Sequence, residues 1–135
     1  MTCRSNHGIN ISRTTTDVLR QMKGETIVIS SDVIRGYSDT IILCLLLEKD
    51  SYGYEISKNI KDISEETYSM KETTLYSAFN RLSKNSYITS YYGDETQGKR
   101  RTYYQITESG RLYYYEKCKE WGATKDLVNR FVRED

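Results

Sequence analysis

Apolar and polar positions alternate in different rhythms along these 135 residues. The opening stretch, "MTCRSNHGINISRTTTDVLRQ", is rich in Ser, Thr and Arg and has no sustained period, so residues 1–30 are read as a flexible tail. "MKGETIVISS" follows, with Met22 and a short β-branched run. A chain translated from Met22 would keep every patterned segment, which makes residues 1–21 a candidate extension.

From Ser31 the pattern sharpens. "SSDVIRGYSDTIILCLLLEKD" reads as one helix, capped by Ser30 or Ser31 and ending near Asp50. Its second half is apolar nearly all round, which on a helix means burial from more than one side, a subunit interface being one such side. "YGYEISKNIKDI" sets Tyr52, Ile56, Ile60 and Ile63 at helical steps and predicts a short amphipathic helix. In "ETYSMKETTLYSAFNRLSKNSYI" the inner face is Leu75, Ala78, Phe79 and Leu82. Ser77, Asn80, Arg81 and Lys84 fall largely opposite, with Thr73, Thr74 and Tyr76 around the N-terminal turn.

"YITSYYGD" and "RRTYYQIT" read as strands by their aromatic and β-branched content, joined by "GDETQGK" into a hairpin. Gly93 and Gly98 are expected to let its tip turn tightly. Thr107 or Ser109 can then cap a long helix, "ESGRLYYYEKCKEWGATKDLVNRFV". Its Tyr114, Cys118, Trp121 and Val128 follow heptad-like spacing, which Lys125 interrupts. The fold class expected is mainly α with a small β-hairpin.

Three helices, a hairpin and a helix is the order of a winged helix-turn-helix domain, here over residues 31–106, followed by a C-terminal dimerisation helix over 107–135. In that architecture the third helix enters the major groove, and the hairpin, or wing, lies along the backbone or minor groove. Charge sharpens this reading. The whole chain is only +1, yet Lys71 to Ile106 hold six basic residues against three acidic ones. That surplus suits a surface meeting phosphate. Lys99, Arg100 and Arg101 sit where the wing would touch the DNA backbone, although a solubilising loop would carry the same charges.

Composition removes other classes. Cys3, Cys44 and Cys118 are far apart and show neither zinc-ligand spacing nor a disulfide framework, so no metal and no cofactor are expected. Cys44 and Cys118 read most simply as small buried apolar residues. A nucleophilic cysteine wants a neighbouring base, and the single histidine, His7, lies in the tail, so no catalytic residues and no enzymatic activity are expected. The longest apolar run, Ile41 to Leu47, is far below the roughly 20 residues of a membrane span. With no signal-peptide pattern at the start, a cytoplasmic location is expected.

"TLYSAFNRLSKNSYITSYYGDETQGKRRTYYQITESG", preceded by "YGYEI", resembles the signature of PadR-family transcriptional regulators, and the resemblance runs from about Ile34 to Val132. The single C-terminal helix bearing Trp121 resembles the compact subclass, which includes multidrug-sensing members. Two departures stand out. Ser83 replaces a common Glu, and Asn85-Ser86 replaces an acidic-Gly turn, with Asn85 able to accept a left-handed conformation.

The resemblance and the pattern together imply a homodimeric DNA-binding regulator, a repressor released by a small planar aromatic ligand, on a pseudo-palindromic double-stranded operator. DNA contacts are expected from Thr73, Thr74, Tyr76, Ser77, Asn80, Arg81, Lys84, Lys99, Arg100 and Arg101. A solvated helix face is the alternative for the helical set, and packing under the wing for Tyr76. Trp121, Tyr114 and Cys118 form the expected ligand face, with Trp121 either a ligand platform or a packed interface residue. Thr40 and Cys44 join that face by the resemblance alone. Lys117 or Lys125 near such a pocket would favour neutral or anionic ligands. A winged-helix module that binds proteins instead of DNA is the competing function.

Overall fold

A computed structural model describes residues 27–96 and 99–133. Residues 1–26 of the tail expected over 1–30, with the Met22 start, lie outside the described residues, as does Gly98. Residues 27–30 are described, and the Ile29 amide donates to the Thr67 carbonyl at 2.7 Å.

Ser30 caps helix α1 (Ser31–Ile34) by accepting from the Val33 amide at 3.4 Å. The single helix expected as far as Asp50 is broken: a 3-10 turn (Arg35–Tyr37) separates α1 from α2 (Ser38–Glu48). The break falls at Gly36, the weakest helix former in the stretch, in a polar segment with no buried side chain to hold it helical. In α2, Ile42, Leu43 and Leu46 are buried, while Ile41, Leu45 and Leu47 pack partly against the same core. This satisfies the all-round apolar pattern.

Strand β1 (Ser51–Tyr52) precedes α3 (Gly53–Ile63). Tyr52, expected as the first apolar position of the helix, is instead a strand residue opposite Tyr103. Two Schellman turns follow the next two helices. At the end of α3, Glu65 and Glu66 take positive φ, 52° and 63°. The Glu66 amide donates to the Lys61 carbonyl at 2.8 Å and that of Glu65 to Asp62 at 3.0 Å. Helix α4 (Glu72–Lys84) begins at the N-terminal turn expected around Thr73, Thr74 and Tyr76, after Tyr68 and Met70 have reached the core from a non-helical approach. Its inner face is the expected one: Leu75, Ala78, Phe79 and Leu82 are all buried.

At the end of α4 the left-handed residue is Ser86 (φ 64°), not Asn85 (φ −90°). Asn85 stays right-handed and donates through Nδ2 to the Arg81 carbonyl at 3.0 Å. The shift follows from the Schellman bonds, Tyr87 amide to Leu82 carbonyl at 2.9 Å and Ser86 amide to Ser83 carbonyl at 3.0 Å. They place the left-handed position one residue after the helix cap.

Strands β2 (Ile88–Thr96) and β3 (Lys99–Ile106) pair antiparallel, and β1 adds on the far side of β3, giving the order β1-β3-β2. The hairpin is therefore longer than its apolar pattern, and it carries an irregularity between Tyr92 and Glu95. One face of the sheet packs on α4, with Tyr104 stacked on Phe79 at 3.9 Å. On the other face Tyr52, Tyr103 and Tyr91 lie in register across the three strands. Gly93 is a strand residue rather than part of a tight tip. A Cβ there would come within 2.2 Å of the Tyr103 ring, so it is the ring's approach that requires glycine.

Thr107 opens α5 (Glu108–Asn129): its Oγ1 accepts from the Gly110 amide at 3.0 Å and donates to the Ser86 carbonyl at 2.7 Å. A Cβ on Gly110 would lie 2.1 Å from the Tyr87 carbonyl oxygen, so the helix starts hard against the entry to β2. Val28–Cys118 form one compact unit, and from Lys119 the helix belongs to a second. The molecule is mainly helical with a small three-stranded antiparallel sheet, the architecture of a winged helix-turn-helix. Among the described residues no helix is long and apolar enough to cross a membrane.

Candidate nucleic-acid interface

With its inner face fixed in the core, α4 turns Thr73, Ser77, Asn80 and Lys84 to solvent. Thr74 is half-buried on one flank. Tyr76 leans edge-on against Phe79, 5.4 Å between ring centroids, and its hydroxyl fills the space a side chain at residue 53 would need. About half of the Tyr76 side chain remains exposed.

Arg81 is differently placed from its neighbours. Its Nε donates to Asp39 Oδ2 at 3.0 Å and its Nη2 to Asp39 Oδ1, a bidentate clamp between α4 and the first turn of α2. The bond to Asp39 raises the guanidinium's pKa further above its ordinary value. Asp39 balances this charge, so Arg81 brings no unmatched cation to the outward face. Nothing in the spacing of the sequence pairs residues 42 positions apart.

Two of the basic residues of the wing, Arg100 and Arg101, also part company, because successive strand residues point to opposite faces. Lys99 opens β3 opposite Thr96. Arg100 is exposed, its guanidinium 5.5 Å from the centroid of the Tyr92 ring. Arg101 is half-buried over Tyr52 at 4.4 Å, a cation–π contact at the base of the sheet. Beside it, Glu55 accepts from Ser51 Oγ at 2.6 Å and from Lys49 Nζ at 3.3 Å. The Ser51 bond leads in holding the Glu55 carboxyl below its usual range, and Arg101 adds a smaller pull in the same direction. At the edge of the row, Tyr91 donates to Asp50 Oδ2 at 2.6 Å, which raises the Tyr91 pKa. These contacts fix the wing against α3 and the α2–β1 connection. Tyr52 and Asp50 carried no functional signal in the sequence.

Two cavities flank α2. One, of about 430 Å³, is polar: Thr73, Thr74, Ser77 and Arg81 of α4 face Ser38 and Asp39 of α2. Arg35 and Gly36 of the 3-10 turn close one end, and Tyr113 and Lys117 of α5 another. The second, of about 390 Å³, is apolar and contains Thr40, Cys44 and Tyr114 together with Ile41, Leu45 and Ile60. The Tyr114 hydroxyl is in hydrogen-bonding reach of the Cys44 and Cys118 thiols, and these bonds, Cys44 first, push its pKa well above the usual tyrosine value.

Four of the five expected ligand residues are thus neighbours, though not as the sequence suggested. Cys44 is exposed and Cys118 half-buried, not hidden in the core, since α2 buries Ile42, Leu43 and Leu46 instead. Lys117 lines the polar cavity, not the apolar one, because Tyr113 and Tyr114 diverge around α2. Trp121 lies on the part of α5 that belongs to the second unit and is 44% exposed. Among the described residues no cluster of His, Cys, Asp or Glu is arranged to hold a metal ion.

The sequence profile of the Transcriptional regulator PadR-like family matches residues 42–116, from the middle of α2 into α5. The chain belongs to the PadR-like family. A transcriptional regulator from Clostridium thermocellum is 67% identical, with a TM-score of 0.73, over 78% of this chain and 100% of that one. A PadR family transcription regulator from hypervirulent Clostridium difficile R20291 is 38% identical, with a TM-score of 0.61, over 70% of this chain and 97% of that one. A Lysinibacillus sphaericus protein described only as "Uncharacterized protein X" is 47% identical over 105 residues, 78% of this chain and 96% of its own length. PadR-family proteins are DNA-binding transcriptional regulators and not enzymes. The matched segment contains α4, the wing and the start of α5, the elements whose exposed polar faces are described above.

Proposed function

We propose that this PadR-family chain is a cytoplasmic homodimeric repressor that binds a pseudo-palindromic operator and leaves it when a small planar aromatic ligand binds. The observation that carries the DNA-binding geometry is the exposed line Thr73, Ser77, Asn80 and Lys84 on a helix whose other face is locked in the core. Such a face fits a major groove, with Ser77 and Asn80 reading base edges and Lys84, Lys99 and Arg100 meeting phosphates. Arg81 and Arg101 act mainly by holding the helix and the wing in place.

Dimerisation is supported by α5, which leaves Leu112, Tyr115, Leu127 and Val128 exposed in the single chain. Two-fold symmetry would carry the two copies of α4 to successive major grooves about 34 Å apart. The apolar cavity with Thr40, Cys44 and Tyr114 has the size of a small-molecule site and supports the ligand reading. Trp121 and Cys118 complete the proposed ligand set.

The test is the salt dependence of operator binding for a variant with Lys99, Arg100 and Arg101 all changed to Ala. Each lost phosphate contact should lower the slope of log K against log salt by about 0.9. The loss should fall on Lys99 and Arg100 more than on Arg101. An unchanged slope and affinity would remove the wing from the interface and favour the protein-interaction module.

A further inference from the structure

The polar cavity beside α4 has features that DNA reading by the outward face does not use. Ser38 lines it, is 2% exposed, and its Oγ has no hydrogen-bond partner among the described residues. A buried hydroxyl on a cavity wall takes its partner from whatever fills the cavity, water or an acceptor that displaces it. The other lining groups describe that acceptor. Arg35, Arg81 and Lys117 line the cavity beside the carboxylate of Asp39. Arg35 also pairs with Asp32, on its own first turn, and Lys117 lies 5.7 Å from the Tyr113 ring centroid. Asp39 occupies the Nε and Nη2 edge of Arg81, and a guanidinium has a second edge with donors of its own.

We propose that this cavity seats an oxyanion, a carboxylate or a phosphate, bonded by the Ser38 hydroxyl and by Lys117, Arg35 and the second edge of Arg81. The anion shares Arg81 with Asp39 and touches α2 and α4 together. Its arrival therefore adjusts the α2–α4 clamp, and with it the pose of the helix that meets DNA. The seat itself does not depend on the DNA-binding reading; only that consequence does. Two sources have this chemistry, a free small acid and a backbone phosphate of bound DNA.

Amide chemical shifts of the full chain, titrated with inorganic phosphate at ionic strength held constant with sodium chloride, test the first source. Saturating shifts are expected at Ser38, Ser77 and Lys117. Ser38→Ala should weaken binding about tenfold, the effect of a lost bond to a charged partner. Ser38→Thr, which keeps the hydroxyl, should retain it, and Lys117→Gln should weaken it about tenfold or more. The second arm replaces phosphate by a mixed-sequence DNA duplex. Saturation only in this arm, sensitive to Lys117→Gln, assigns the seat to backbone phosphate and keeps the proposal. Shifts that never saturate in either arm, or that ignore both Ser38→Ala and Lys117→Gln, overturn it. Phosphate binding without duplex binding would instead count against the DNA-binding reading alone.

Discussion

The two cavities flanking α2 are nearly equal in volume and opposite in chemistry. Ser38 and Asp39 feed the polar one, while Thr40, Ile41, Cys44 and Leu45 line the apolar one. On α5 the division falls between two consecutive tyrosines, Tyr113 to one side and Tyr114 to the other. A step of one residue on each helix thus separates a site suited to charge from one suited to apolar rings. The polar cavity touches α4 directly; the apolar one does not include any α4 residue. A ligand in the first can act on α4 by contact, whereas one in the second must act through α2 and α5.

The largest expected effect comes from Gly110→Ala, which attacks α5, an element that with α2 lines both cavities. The added methyl meets the Tyr87 carbonyl and must push α5 outward at its first turn. Overpacking of this kind costs about 1–3 kcal/mol, and a urea denaturation curve should show a loss in that range. If the midpoint does not move, α5 is not pinned at this close approach and the cavities do not share a rigid wall.

A smaller and more selective effect is expected from Asp39→Asn. It opens the clamp on the polar side only, and with Arg81 about half exposed the loss should be within about 1 kcal/mol. DNA binding should respond in the other direction. The released Arg81 charge becomes available to phosphate, steepening the salt slope by up to about 0.9. A shallower slope would show that the clamp positions α4 more than it neutralises Arg81.

The smallest effect at neutral pH is expected from Tyr114→Phe, which removes the hydroxyl between the two thiols. Its signature lies at alkaline pH. The folded protein holds the Tyr114 proton more tightly than the unfolded chain. That contribution is fully present below the ordinary tyrosine value of about 10 and is lost as pH rises beyond it. The variant should therefore lose less stability than the parent between neutral pH and pH values above about 10. Tyr104, raised chiefly by burial, and Tyr91, raised by Asp50, leave part of the alkaline loss in place. Identical alkaline profiles would dissociate Tyr114 from the thiols.

The elements legible in the sequence were those whose identity is local. Leu75, Ala78, Phe79 and Leu82 repeat at the helical period, so the face that α4 buries, and by subtraction the face it turns to solvent, followed from spacing. The hairpin followed from tyrosine and β-branched content, and the long α5 from its Thr107 cap. Strand β1 was invisible because two residues have no period, and only pairing with β3 makes them a strand. The clamp on Arg81 was equally hidden, since an exposed Arg and a distant Asp39 look alike whether paired or not. Tyr114 and Cys118 stood on one stripe of α5, but the approach of Cys44 depends on how α2 crosses it. The polar cavity had no linear trace at all, its lining being drawn from three helices and a turn.

Salt will act on the wing's charges without loosening its anchor. Tyr52, Tyr103 and Tyr91 meet ring to ring, at centroid distances of 5.3 and 5.7 Å, and the row ends in a hydroxyl bound to Asp50. Dispersion and a short neutral-donor bond are little affected by screening, unlike contacts between Arg100 and a phosphate. Raising potassium chloride should therefore strip counterion-dependent contacts from a hairpin that keeps its shape. The salt slope of operator binding then counts charges at the interface, uncontaminated by melting of the structure that carries them.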